Sequence, residues 1–475
     1  MGNLFDSDAE AQSNKLQQTC STFDASETLA LEKLFNYCKS DESDSIQTEN
    51  IKCEDNVLKF RMSTLFGVKA PMLAHYGLQL AKEAQDIASF VEVSQVLLCR
   101  NTAQSALQTV FDALDLRVQT ENTTDASVEP DTSPALMFML LLQEMAESLS
   151  LSVHKAHWAE NAEDMLEIAK RMHLCADAYG NSPAVLSPFP ALSTFVWEQI
   201  PYAPSLISTF YYQRLDLEPG ASWQPFVPPY LTDPAGRPHA GLVPTAALLP
   251  LALHSKCMQG ELRLLYSTFT HGIDFLNIKD AISGYSHGTL FVLRVRSCVS
   301  SGFNEDSEAI RTIGAYAAAS WKDTKDAYGA AEGATFSGFA FSLVPHLRLY
   351  KADCCQYLNT KSFDKSVHGI GLGAKQRTAQ IPADFAVFLP QQLDRKVLLY
   401  GQPFELDSLE IFAAGGQQNV QAGLEAQKQN KKQAQLNLER ARTVDRAAFF
   451  ANEFDRQMFL SNTFAHEADV RNRDM

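Results

Sequence analysis

Residues 262–272 read Leu-Arg-Leu-Leu-Tyr-Ser-Thr-Phe-Thr-His-Gly. Leu262–Tyr266 is a short, mostly apolar run, and Gly272 ends the stretch with a turn signal. Runs of the same kind recur downstream at Thr289–Val295, Ile310–Ala317, Gly338–Val344, Phe385–Leu389, Val397–Tyr400 and Ser408–Phe412. They are rich in β-branched and aromatic residues, and turn residues separate them. That is the pattern of an antiparallel sheet. A parallel doubly wound sheet needs a helix between successive strands, and these intervals leave little room for one.

Upstream the character is helical. A helix is predicted from Ser26, with Glu27 in its first turn and Leu29, Leu31, Leu34, Phe35 and Cys38 as its apolar stripe. A second helical pattern runs from about Gln79 to Leu116 with a break near Asn101, and a third from 135 to about 178. Between them, residues 117–134 have linker composition. The acidic stretch 39–50 invites an EF-hand reading with Asp41, Ser43 and Ser45 as ligands. However, Ile46 falls where the loop needs Gly, and Lys52 where it needs a bidentate Glu. A calcium-free, EF-hand-like helix pair is the resulting expectation. Residues 180–250 are rich in proline, and the aromatic stretch Phe195–Tyr212 within them is expected to pack on a neighbouring domain.

Downstream of the last run, Gln417–Leu460 contains one glycine, Gly423, and no proline. This predicts one long helix. Its first half is too polar for a core helix, and carries Lys428, Lys431, Lys432, Arg440, Arg442 and Arg446. Its second half places Phe450, Phe454 and Met458 at i, i+4 and i+8, beside Phe449. Three uses stay open: packing back on its own domain, docking in a partner's groove, or lying on a membrane surface. The polar first half favours docking, with these ten residues as candidate partner contacts.

Composition narrows the function classes. The chain has 475 residues, 45% apolar and 20% charged, which is globular composition with room for more than one core. The net charge of −16 argues against a nucleic-acid binder. Residues 1–150 hold 23 Asp/Glu and 10 Lys/Arg, a net of −13, whereas residues 417–446 hold three and six, a net of +3. The acidic head and basic tail are suited to different partners. Nine cysteines occur at irregular spacing with no CxxC, which fits reduced thiols in a cytosolic protein. The opening MGNLFDSDAE has no apolar signal core, and the longest apolar run, Ala135–Leu142, is eight residues against roughly 20 for a span. Met1-Gly2-Asn3 begins as N-myristoylated chains do, which makes Gly2 a lipidation candidate, although Asp6 stands where Ser or Thr is preferred.

Catalytic signals are weak. Gly369–Ala374 fits a GxGxxA pattern, but no βαβ unit surrounds it, so these glycines are expected to form a tight loop. His154 and His157 are three apart and are read as surface or packing residues rather than metal ligands. Ser267 and His271 have no acid in triad order, and Glu332 is read as a structural acceptor. No catalytic residue, cofactor site or metal site is expected.

The β-rich part resembles the TLDc domain. The resemblance rests on Leu262–Thr268 with His271-Gly272, Ile313–Ala317 with Trp321-Lys322, Phe339–Pro345, Gly369–Gly373, Phe385–Leu389 and Leu409–Phe412, in that order. The wider chain is similar to the lysosome- or vacuole-associated branch of that family: Met1-Gly2-Asn3, a helical region ahead of the domain and a helix after it. The resemblance implies an α+β chain. Its parts would be a flexible head 1–25, an all-α EF-hand-like region 26–180, a Pro/aromatic-rich connector 181–240, a TLDc domain 241–415 and a C-terminal helix and tail 416–475. It implies a TLDc fold of two antiparallel sheets in a sandwich flanked by helices. It also implies a non-enzymatic regulator that binds the peripheral ATP-hydrolysing sector of the vacuolar proton pump (the V-ATPase), with the C-terminal helix reaching between catalytic-sector subunits and toward the central rotor. The protein would sit on the cytosolic face of an acidic organelle, held in part by a myristoyl group. Two alternatives stand beside this: a membrane-recruited lysosomal signalling adaptor, and oxidative-stress protection by a thiol among Cys298, Cys354 and Cys355.

Overall fold

A computed structural model describes residues 25–39, 87–100, 102–121, 134–153, 166–172, 188–215, 217, 223–297, 310–321, 338–350, 356–361, 364–374, 383, 385–392 and 394–451. The fold is mixed α+β: N-terminal helices, a large and mainly antiparallel sheet, and a long C-terminal helix.

The first helices are α1 (Ala25–Lys39), α2 (Ile87–Leu97), α3 (Ala103–Glu121) and α4 (Pro134–Val153). The break expected near Asn101 is real. Cys99 takes a left-handed φ of 56°, and Thr102 Oγ1 accepts from Ser105 N at 3.0 Å to start α3. Helix α3 continues to Glu121, past the residue where linker composition begins, and Pro134 opens α4. Arg100 ties these elements together. Its guanidinium pairs with Glu27 on α1 and donates to the Tyr212 hydroxyl at 3.2 Å. The acidic stretch 40–50 and Lys52 lie outside the described residues, as do His154, His157 and Glu332.

The proline- and aromatic-rich segment forms α5 (Pro188–Gln199), α6 (Ala203–Arg214) and strand β1 (Tyr230–Thr232). Phe195, Ile200, Phe210 and Tyr211 in it are fully buried. It contributes to both neighbours: α6 packs on α4, and β1 pairs in parallel with β2 (Glu261–Ser267). Between these strands a short helix, α7 (Leu249–His254), is buried over most of its length.

After β2 come α8 (Thr268–His271) and α9 (Phe275–Ile282). Nine strands follow: β3 (Thr289–Ser297), β4 (Arg311–Ala317), β5 (Phe339–Val344), β6 (Arg348–Tyr350), β7 (Gln356–Asn359), β8 (Gly369–Ala374), β9 (Phe385–Pro390), β10 (Lys396–Leu399) and β11 (Gln402–Ala413). They form one hydrogen-bonded network in the order β6-β5-β4-β3-β11-β10-β9-β8-β7, with β1 and β2 branching from β11. Among the described residues the strands are joined in a single hydrogen-bonded network, which does not by itself show two separate sheets. The network folds over, so that β8 approaches β4 and β5.

Strand β3 shows why. Leu290 and Val292 face one way, into a core shared with α1–α7, while Phe291, Leu293 and Val295 face the other, into a core closed by β7–β11. A strand apolar on both faces has to be covered on both. The first core runs from Leu31 to Phe412, so the helical region and the sheet share one apolar interior.

The glycine-rich stretch 369–374 is strand β8 and not the tight loop its composition suggested. A Cβ at Gly371 would lie 2.6 Å from the Phe385 ring, and one at Gly369 would lie 2.6 Å from the Phe388 ring. The aromatic side chains of β9 fill the space that side chains on β8 would occupy.

Candidate partner-docking helix

The last strand ends at Ala413, and helix α10 (Gln417–Ala451) starts four residues later. Gly415 and Gly416 bridge the two with φ of 117° and 81°, a backbone that side-chain-bearing residues rarely adopt. Val420 N donates to Gly416 O at 2.9 Å, and Asn419 Nδ2 to Gly415 O at 2.8 Å, which closes the first turn.

The first three turns of α10 are seated on the domain. Val420 is fully buried against Tyr285 and Ala413, with Leu265 and Leu424 alongside. Gly423 lets the helix approach the Tyr285 ring, since a Cβ there would stand 2.5 Å from it. Burial raises the Tyr285 phenol above its ordinary range. Gln427 Nε2 donates to Ala281 O at 2.8 Å and to Ser283 O at 2.9 Å, and Asn430 Nδ2 donates to Gly284 O at 3.2 Å. These are carbonyls at the C-terminal end of α9, which helix geometry leaves without intrahelical partners. Helix α10 therefore caps α9 and takes a fixed direction from it.

Beyond the seat the helix stands clear. Every residue from Lys428 to Arg442 is exposed. Lys428, Lys431, Lys432, Arg440 and Arg442 are all on this exposed part, and Lys428, Lys431, Lys432 and Arg442 make no ion pair among the described residues. Leu436 and Leu438 are 38% and 53% exposed on it. At about 1.5 Å per residue, the stretch from Lys428 to Ala451 is about 36 Å long. Arg446, Phe449 and Phe450 lie on the helical backbone, whereas Phe454, Met458 and Gly2 lie outside the described residues. The base of the helix thus packs on its own domain, and its exposed stretch has no covering from the described residues.

Other features sort as follows. Ser267 and His271 do come together, as a local cap. Ser267 N donates to His271 Nδ1 at 3.1 Å, Ser267 Oγ accepts from Phe269 N, and the imidazole stacks on Tyr266. Phe269 in this cap is 96% exposed, and Leu276 on α9 is 59% exposed. Composition gave no sign of this apolar knob. The buried Glu410 carboxylate also escaped the sequence reading. It accepts from Leu242 N at 2.8 Å and meets His239 Nε2 at 3.1 Å, which ties the chain before β2 to β11. Among the described free thiols, Cys99 is half-buried and pushed up to about 11 by that burial, and Cys257 is exposed. Cys298, Cys354 and Cys355 lie outside the described residues. Among the described residues no group of three or more His, Cys, Asp or Glu side chains is placed to hold a metal ion, and no helix is long and apolar enough to cross a membrane.

No curated protein matches the chain. A family model does match, over the region that begins just before α7 and ends where α10 is about to start. The sheet-bearing part of this chain, residues 244–415, is a TLDc domain.

Proposed function

We propose that the protein is a non-enzymatic regulator that binds the peripheral ATP-hydrolysing sector of the vacuolar proton-pumping ATPase, with α10 as its docking element. The observation that carries this reading is the contrast along α10, between a base fixed by Gly423, Gln427 and Asn430 and an exposed, basic stretch from Lys428 to Arg442. A rigid basic arm is suited to reach between subunits and meet an acidic surface. A helix inserted in a rotary motor alters rotation or assembly according to which state it binds more tightly. In this reading the protein acts at the cytosolic face of an acidic organelle, and a myristoyl group on Gly2 supplies a second, weak membrane contact.

The test is a pull-down from native membranes with three chains: full length, one ending after Asn430, and one ending after Gly416. The second keeps the seated turns of α10 and lacks the exposed arm. The proposal expects pump subunits with the full chain and a sharp fall with both truncations. Equal recovery from all three would make the TLDc domain the main contact and remove α10 from the mechanism. Absence of the pump, with kinases or small-GTPase machinery recovered instead, would replace this reading by the adaptor.

A further inference from the structure

Where the folded-over sheet opens, strands β4–β6 and β9–β11 line a cleft of about 600 Å³. Small residues, Gly314, Ala340 and Ala386, line it, and Phe404 adds an aromatic wall. The exposed side chains at its mouth include Arg311, His346 and Arg348. Among the described residues no Asp or Glu lines it, in a chain whose net charge is −16. Arg311 lies over the Phe404 ring at 5.3 Å, and neither Arg311 nor Arg348 is paired with a carboxylate among the described residues.

We infer that this cleft is a binding site for a free medium-chain fatty acid, with the acyl chain against the small residues and the carboxylate at the arginines. Three observations select this occupant. The volume and the mainly apolar lining match those of small-ligand sites. The two arginines, with no acid beside them among the described lining residues, complement an anionic head. A peptide would bring a backbone donor and acceptor with every residue, whereas apart from the two arginines only Ser342, His346, Gln402 and two tyrosines are polar among the described lining residues. An acyl chain needs no such partners.

Isothermal titration of the full chain with dodecanoate, kept below its micelle concentration, tests this, with dodecanol and an acidic, leucine-rich peptide as comparison probes. The expected result is saturable dodecanoate binding, weaker dodecanol binding and no peptide binding. Arg311→Gln/Arg348→Gln should weaken dodecanoate about fivefold or more, as loss of two exposed charge contacts would. Both arginines are exposed, so the double variant should fold. Ala386→Leu, which fills the cleft, should abolish binding, and a thermal melt shows whether that variant is folded. No dodecanoate binding, equal affinity for dodecanol with no effect of the double variant, or binding of the peptide alone would each overturn the inference.

Discussion

Replacing Gly423 by alanine sets two effects of opposite sign against each other. In an ordinary helix interior the change favours the helix by about 0.8–1 kcal/mol. Here the new Cβ would stand 2.5 Å from Tyr285 Cε2 and 2.8 Å from its Cζ. Carbon contacts are comfortable from about 3.5 Å, so the ring or the helix has to yield by about 1 Å. Tyr285 is fully buried, so its ring can yield only by displacing its neighbours. If the helix lifts instead, the Gln427 bonds of 2.8 and 2.9 Å stretch beyond hydrogen-bonding range. Overpacking of this kind costs about 1–3 kcal/mol, and two lost hydrogen bonds cost about 1 kcal/mol each. Either route outweighs the propensity gain, and the seat of α10 should weaken by about 1 kcal/mol. Amide hydrogen exchange over residues 417–430 reads that local free energy. The experiment compares the wild type, Gly423→Ala, Tyr285→Leu and the double variant. With the ring cut back, Gly423→Ala should become favourable, giving a coupling of about 2 kcal/mol. If Gly423→Ala slows exchange in both backgrounds, α10 does not rest on Tyr285 and the rigid-arm argument collapses.

Three further expectations can be checked directly. Phe269→Ser should leave thermal stability within about 0.5 kcal/mol, as exposed substitutions do. If the knob is a second contact with the pump, recovery in the pull-down should fall severalfold, and unchanged recovery would dismiss it. Burial raises the Glu147 carboxyl above its ordinary value. A raised folded-state pKa favours the fold below the unfolded value and loses that advantage as pH rises. Glu147→Gln should therefore raise the melting temperature at pH 7, with the gain vanishing as pH falls below 4.5, the ordinary value; a gain that persists at low pH would contradict the cause given. Iodoacetamide at pH 8 should modify Cys257 and spare Cys99, whose thiol is pushed up to about 11. Peptide mass spectrometry reads both sites, and labelling of native Cys99 would contradict its burial.

Much of the sheet was legible because its strands carry their own signal. Thr289–Ser297 and Phe385–Pro390 are dense in β-branched and aromatic residues, and each is buried along most of its length. The strands that escaped had their signal elsewhere. Strand β8 reads Gly-Ile-Gly-Leu-Gly-Ala, and the rings that complete its surface belong to Phe385 and Phe388 on another strand. Strand β1 is three residues in a proline-rich setting and exists because Leu262 and its neighbours on β2 offer an edge. For the docking helix, length and polarity were evident, but its seat was not. Gln427 looked like one more polar residue, and only the fold brings the open carbonyls of α9 beside it. The cleft was invisible for the same reason, since Arg311, Ala340, Arg348 and Ala386 converge only after the sheet folds over.

Strand β11 has a consequence for synthesis. It is the last strand in chain order, yet it pairs with β3 along one edge and with β10 and β2 along the other. Until residue 413 has left the ribosome, β2, β3 and β10 each wait with an open edge, and open edges pair with whatever strand they meet. A chain that stalls or is cut before β11 is therefore an aggregation hazard rather than a smaller domain. The nascent domain should stay in the care of chaperones until its final strand arrives, and translation into α10 gives β11 the time to close the seam.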